Sequence, residues 1–243
     1  MDEILRPAIS LPQIQPRRKK LKNEAGRNPY DGLRLWSALT HGAGVALALP
    51  GTVLLLLRAA AVGGAMRITA LAIYCASMLA LYTASTLYHC VNTSVRGRMN
   101  LRRLDHASIC LLIAGSYTPI CLLALRNWMG WTLFGVIWVL ALAGIVLAVV
   151  WIMAPRWLSP AVYLTMGWLA LFAIYPLSRV LPVQGMVLLV AGGMLYTIGG
   201  VLYALKWPGR NNPHFGCHEI FHLFILAGSV VHFLLMYQVV AFL

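Results

Sequence analysis

Seven apolar blocks divide the chain between residues 36 and 240. They lie near 36–57, 68–90, 105–125, 131–153, 158–178, 184–205 and 216–240, and each is bounded by a charge, a proline or a glycine cluster. Every block is long enough to cross a hydrocarbon layer of about 30 Å. Lipid offers an open backbone no hydrogen-bond partner, so stretches of this length read as helices. The connections are short, which favours one bundle. The expected fold is all-α, a seven-helix transmembrane domain over residues 31–243 preceded by a flexible basic tail over 1–30. Composition agrees: 60% of the 243 residues are hydrophobic, 10% are charged, and the mean hydropathy is +0.78. Soluble domains average about 45–50% apolar and 25% charged. The chain is therefore not a disordered protein, a nucleic-acid-binding domain or an ordinary cytosolic enzyme, and nucleic acid is not an expected partner despite a net charge of +13.

The basic residues set an orientation instead. With the amino terminus in the cytoplasm, that side carries 15 of the 19 Lys and Arg. These are the tail cations and Arg34, then Arg96, Arg98, Arg102 and Arg103 after block two, Arg156 after block four, and Lys206 and Arg210 after block six. Only Arg58, Arg67, Arg126 and Arg179 fall outside. The positive-inside bias thus predicts a multi-pass inner-membrane protein with its carboxyl terminus outside. The tail lacks the apolar core of a signal peptide. Its run Arg17-Arg18-Lys19-Lys20-Leu21-Lys22 reads first as a solvated segment that fixes topology, and second as a ligand for anionic lipid. Five cysteines, Cys75, Cys90, Cys110, Cys121 and Cys217, form no C-x-x-C pair and are expected to be free, buried thiols.

Ionisable groups inside apolar spans are costly unless paired, and mark function by default. Past the tail only Asp31, Asp105 and Glu219 are acidic, while His41, His89, His106, His218, His222 and His232 lie in or at the ends of blocks. His89 closes block two, Asp105 opens block three, and His218 and His222 open block seven. The alternating topology places all four at one membrane depth. His218 and His222 are i, i+4 on a helix and project from one stripe, a common way to offer two nitrogens to zinc. Ser85 stands four residues before His89 and would accept from its imidazole N–H, fixing which nitrogen faces the ion. Three neutral histidines leave a fourth position open, as in catalytic zinc sites. Asp105 would either ligate the ion or hold its water and take the proton. A lone histidine pair on a bundle helix is more often a polar contact; the third histidine and the carboxylate at matching depth favour the metal.

The remaining histidines are assigned elsewhere. His106 points about 100° away from Asp105 and is expected at the interface. His232 lies roughly 15 Å deeper than His222. His41 is expected in a helix–helix hydrogen bond. Cys90 and Cys217 adjoin proposed ligands but turn away on their helices. His218-Glu219-Ile220-Phe221-His222 also spells H-E-x-x-H, the zinc-peptidase pattern with a glutamate base. In intramembrane metalloproteases the ligating aspartate follows that motif; here Asp105 precedes it, and the protease reading leaves His89 and Ser85 unused.

Several segments are familiar together. Ala84-Ser85-Thr86-Leu87-Tyr88-His89, Leu104-Asp105-His106 through Ala114-Gly115-Ser116-Tyr117-Thr118-Pro119, Tyr163-Leu164-Thr165-Met166-Gly167-Trp168, and His218–His222 with Gly228-Ser229 resemble the hemolysin III family. These are bacterial relatives of the progestin and adipoQ receptor (PAQR) family. The resemblance covers roughly residues 33–240. It implies seven helices with a cytoplasmic amino terminus, and a zinc ion held by His89, His218 and His222. It further implies that Asp105 acts through a metal-bound water and that Ser85 supports it. A broader superfamily with the same constellation includes alkaline ceramidases, so the implied chemistry is hydrolysis of a lipid amide, with a membrane lipid as substrate or ligand. Members have also been described as receptors, membrane regulators and cytolysins. A non-enzymatic sensor with a structural zinc is the main alternative; pore formation fits poorly, because nothing here looks like a toxin that inserts from solution.

Overall fold

Seven helices long and apolar enough to cross a membrane account for nearly all of the described residues, which form no strand. The structure, a computed structural model, describes residues 30–151, 157–209, 212 and 215–243. The basic tail, Arg156, Arg210 and His214 lie outside them. The spans are Leu35–Val62, Ala65–Cys90, Val95–Ala124, Trp128–Val150, Leu158–Val180, Val183–Leu205 and Cys217–Phe242, numbered one to seven below. They alternate in direction, so the start of span one, the end of span two and the starts of spans three and seven share one end of the bundle.

Span three departs most from expectation. It begins ten residues earlier than the apolar block, at Val95, where the Ser94 side chain accepts from the Gly97 N–H. The added turns are polar, and they stay helical because Arg98 is used inside the protein. Its buried guanidinium donates to the carbonyls of Tyr88 and Val91. These belong to the frayed end of span two, where carbonyls lack helical partners. Asp105 therefore sits well inside span three, about 15 Å from its start at 1.5 Å per residue. The α-helical part of the span ends on Pro119, which has no N–H to give. A π turn over Ile120–Ala124 follows, closed by Leu125 N–H to Ile120 O at 3.0 Å.

Span five is interrupted: α-helix over Leu158–Trp168, 3-10 over Leu169–Ala173, then α-helix over Ile174–Val180. Pro176, without an N–H for the Phe172 carbonyl, weakens the ladder there, and Tyr117 of span three inserts its side chain into it. Its hydroxyl donates toward the Met166 and Gly167 carbonyls (2.9 and 2.6 Å) and accepts from Ala170 N–H at 2.8 Å. Spans six and seven meet along small residues at a seven-residue spacing. A side chain on Gly185, Gly192 or Gly199 would run into Val239, His232 or Phe224 respectively, a stepwise antiparallel match that lets the two backbones approach closely. Span six closes on Lys206 at φ 56°, a left-handed cap. That conformation costs a non-glycine residue about 1–2 kcal/mol.

Candidate metal centre

Three imidazoles converge at the shared end. One nitrogen from each of His89, His218 and His222 lies within 4.8 Å of the others. His89 arrives on the last turn of span two. Its Nδ1 is 2.7 Å from the Gly32 carbonyl; a carbonyl only accepts, so Nδ1 carries the proton and Nε2 keeps its lone pair. His222 Nδ1 lies 3.3 Å from the Ser37 carbonyl and from the Thr40 hydroxyl. That hydroxyl's own proton is directed to the Trp36 and Ser37 carbonyls (2.9 and 3.0 Å), so Nδ1 is again the donor and Nε2 is free. His218 Nε2 faces His89 Nε2 at 3.2 Å. Two nitrogens bound to one tetrahedral zinc at 2.0–2.1 Å stand about 3.3 Å apart. The donor set therefore fits a divalent cation: neutral imidazoles, tautomers set by backbone acceptors, and a separation that one ion spans.

The carbonyl partners all come from one strap, Gly32 to Thr40, made of the residues that lead into span one and its opening turns. The same strap ties down Glu219, which is fully buried between the two histidines of span seven. Glu219 Oε1 accepts from Arg34 Nε (2.6 Å) and Ser37 Oγ (2.7 Å); Oε2 accepts from Arg34 Nη2 (2.8 Å) and the Gly216 N–H (2.9 Å). Four donors fill its lone pairs and cap the first turn of span seven. A glutamate so committed is a poor general base, which weighs against the H-E-x-x-H peptidase reading.

The other anticipated residues fall as follows. Asp105 is buried and lines the same cavity as the histidines; its carboxylate is not one of the clustered ligand atoms. Ser85 also lines the cavity, but Gly32 rather than Ser85 takes the His89 proton. The Ser85 hydroxyl, buried to 1% exposure, has no hydrogen-bond partner among the described residues. His41 makes no helix–helix hydrogen bond. Its ring stacks on His222 (centroids 3.6 Å, 10° apart) and meets the Tyr82 ring edge-on, leaving both nitrogens buried and unpartnered among the described residues. Ring packing has displaced the expected polar contact. His232 stays out of the cluster, its Nε2 3.4 Å from the Leu189 carbonyl. His106 is half-buried and lines the cavity. The five cysteines are free; Cys75, Cys110 and Cys121 are buried as expected, whereas Cys217 is half-buried and Cys90 exposed, because each sits at a helix end. The cavity has a volume of about 850 Å³ and runs from the histidines to Leu235 and Met236.

A multi-pass helical membrane bundle with a largely buried three-histidine cluster at one end is thus the class this chain defines. A family profile described as "Haemolysin-III related" matches residues 34–233, which takes in all seven spans up to the middle of the last. The chain is similar to "Hemolysin-3" of Bacillus cereus, 39% identical over 197 residues (81% of this chain and 87% of that one). It is also similar to "Hemolysin-3 homolog" of Bacillus subtilis (strain 168), 41% identical over 197 residues (81% and 89%). This chain belongs to the hemolysin III family.

Proposed function

We propose that the protein is a zinc-dependent hydrolase of an amide-linked lipid, set in the bacterial inner membrane with its amino terminus in the cytoplasm. The observation that carries this reading is the convergence of the His89, His218 and His222 nitrogens at the polar end of a long, largely apolar cavity. Those three residues would hold the ion. Zinc bound there supplies Lewis acidity toward a carbonyl oxygen and toward water. The chain's own residues handle position and protons. Gly32 and Ser37 hold two imidazoles in the ligating tautomer. Asp105 takes a proton from the attacking water at a carboxylate oxygen and returns it to the amide nitrogen as the C–N bond breaks, releasing a fatty acid and an amine. The Ser85 hydroxyl, without a partner among the described residues, hydrogen-bonds the polar group of the substrate. The interrupted span five lines the cavity and offers a lateral path from the bilayer.

Metal analysis of purified protein, together with hydrolysis of a lipid-amide panel, tests this. Asp105→Asn should retain the metal and lose activity by about 10²–10⁴-fold, the usual contribution of a general base; equal rates in variant and wild type would remove the catalytic role. A second reading, a non-enzymatic sensor with a structural zinc, is favoured by the way the ligands and their carbonyl partners tie spans two and seven to the strap of span one. It predicts that chelation lowers the melting temperature in a protein that turns over nothing on the panel.

A further inference from the structure

The polar end of the cavity is not finished by neutral side chains. Arg102 and Lys206 both line it, the first on span three and the second just past span six. Arg102 precedes Asp105 by three residues and so lies on the same face of span three, one turn nearer the helix start. Lys206 lies three residues beyond Tyr203, whose ring is 5.6 Å from that of His218. Each cation stands about one helical turn, roughly 5 Å, outside a residue of the histidine region.

Most other arginines of the bundle have internal work. Arg34 is paired with Glu219. Arg58 donates to Tyr237, Arg98 to the end of span two, and Arg126 to the Leu123 and Leu243 carbonyls. Arg102 Nε, like single nitrogens of Arg67, Arg98 and Arg103, is buried and without a hydrogen-bond partner among the described residues, but of these four arginines only Arg102 lines the cavity. A charged donor left dry and unmatched is unfavourable unless something outside the chain accepts from it. Lys206 holds a backbone conformation that glycine or asparagine usually occupies at a helix end, so its side chain is presented there at a cost to the fold. Asp31 and Asp105 line the cavity as well. Arg102, Lys206 and a bound divalent ion would together outweigh these two carboxylates, leaving the mouth positive.

We infer that this mouth binds phosphate: the amide lipid taken by the site carries a phosphate group close to its amide, seated between Arg102 and Lys206. The guanidinium fork matches phosphate oxygens and the ammonium adds a point charge. The amide then reaches the histidines and the acyl chain runs down the apolar wall. That wall extends from His222 to Met236, about 21 Å along span seven, longer than the roughly 15 Å filled by the chains of one leaflet. The inference rests on the hydrolase reading for the word substrate, but not for the binding of phosphate.

Binding of dodecyl phosphate and of dodecanol to the full-length protein in neutral detergent, read by tryptophan fluorescence, tests it without turnover. Wild type should bind dodecyl phosphate about tenfold or more tightly than dodecanol, the scale of a hydrogen bond to a charged group. Arg102→Gln with Lys206→Gln should bring the ratio close to one, and Arg102→Lys should keep part of it. Equal binding of the two probes by wild type overturns the inference even if the double variant does not fold. So does a preference that persists unchanged in the folded double variant, which would mean that the phosphate is taken elsewhere on the protein. With a phosphate-bearing lipid amide and its dephosphorylated twin, the kcat/KM ratio should favour the former in wild type, and hydrolysis without such a preference overturns the phosphate site alone. Phosphate-selective binding with no hydrolysis of either lipid overturns the hydrolase reading and supports the mouth.

Discussion

Glu219 looks from its motif like a reagent and serves in the structure as an anchor. Its carboxylate is fully buried, whereas the Arg34 side chain that pairs with it is 27% exposed. Removing the arginine strands a charge in a dry place, which typically costs about 3–5 kcal/mol. Arg34→Ala should therefore lower the melting temperature in detergent and reduce metal content, because the strap it fixes also carries the Gly32 and Ser37 carbonyls. Arg34→Lys should lose less of both. A variant that melts like wild type would show that the pair does not hold the strap. The histidine cluster was legible in the sequence, since i, i+4 spacing and alternating topology are enough to bring His89, His218 and His222 to one depth. Their supports were not. Gly32 and Ser37 act through main-chain oxygens, which every residue type possesses, so no side-chain pattern announces them. Arg34 and Glu219 are separated by 185 positions, yet a trace existed: both fall at the same end of the bundle, and Glu219 needs a cation there.

At the scale of the helices, hydropathy located six of the seven spans closely because lipid enforces it. It misplaced the start of span three, where Arg98 and its neighbours form helix without an apolar stripe and only the Ser94 cap marked the boundary. The interruption of span five was only partly legible: Gly167 and Pro176 flank it in the sequence, but the hydroxyl that enters its ladder belongs to Tyr117 on another span. The glycine seam between spans six and seven gives a sharp comparison. A methyl group on Gly192 would meet the His232 ring, while one on Gly193 would meet nothing within 4 Å. Gly192→Ala should destabilise by about 1–3 kcal/mol through overpacking. Gly193→Ala should be neutral or stabilising by up to about 1 kcal/mol, as expected for alanine in a helix interior. Thermal unfolding of the pair reads the difference, and equal shifts would mean that the seam does not close as described.

For the whole molecule, a metal held by His89, His218 and His222 would join spans two and seven and couple ligation to stability. An ion that binds only the folded protein stabilises it by about 4 kcal/mol at a thousandfold excess over Kd, so chelation should lower the melting temperature, with zinc restoring it and magnesium failing to. Protons compete for the same three nitrogens, because imidazole ligates only when neutral. Acidification should therefore release the metal and remove this increment, and the increment should return as pH rises. A melting temperature indifferent to chelator and to mild acid would argue that no ion contributes. The pairing of the strap before span one with the opening turn of span seven has a further consequence for biosynthesis. A ribosome delivers the first of these elements long before the last, so a nascent chain of five or six inserted helices possesses His89 but none of its companions. The three-histidine cluster can assemble only once the final helix has been released into the bilayer, so any cation it holds would be captured at the close of biogenesis and would be denied to a prematurely terminated product.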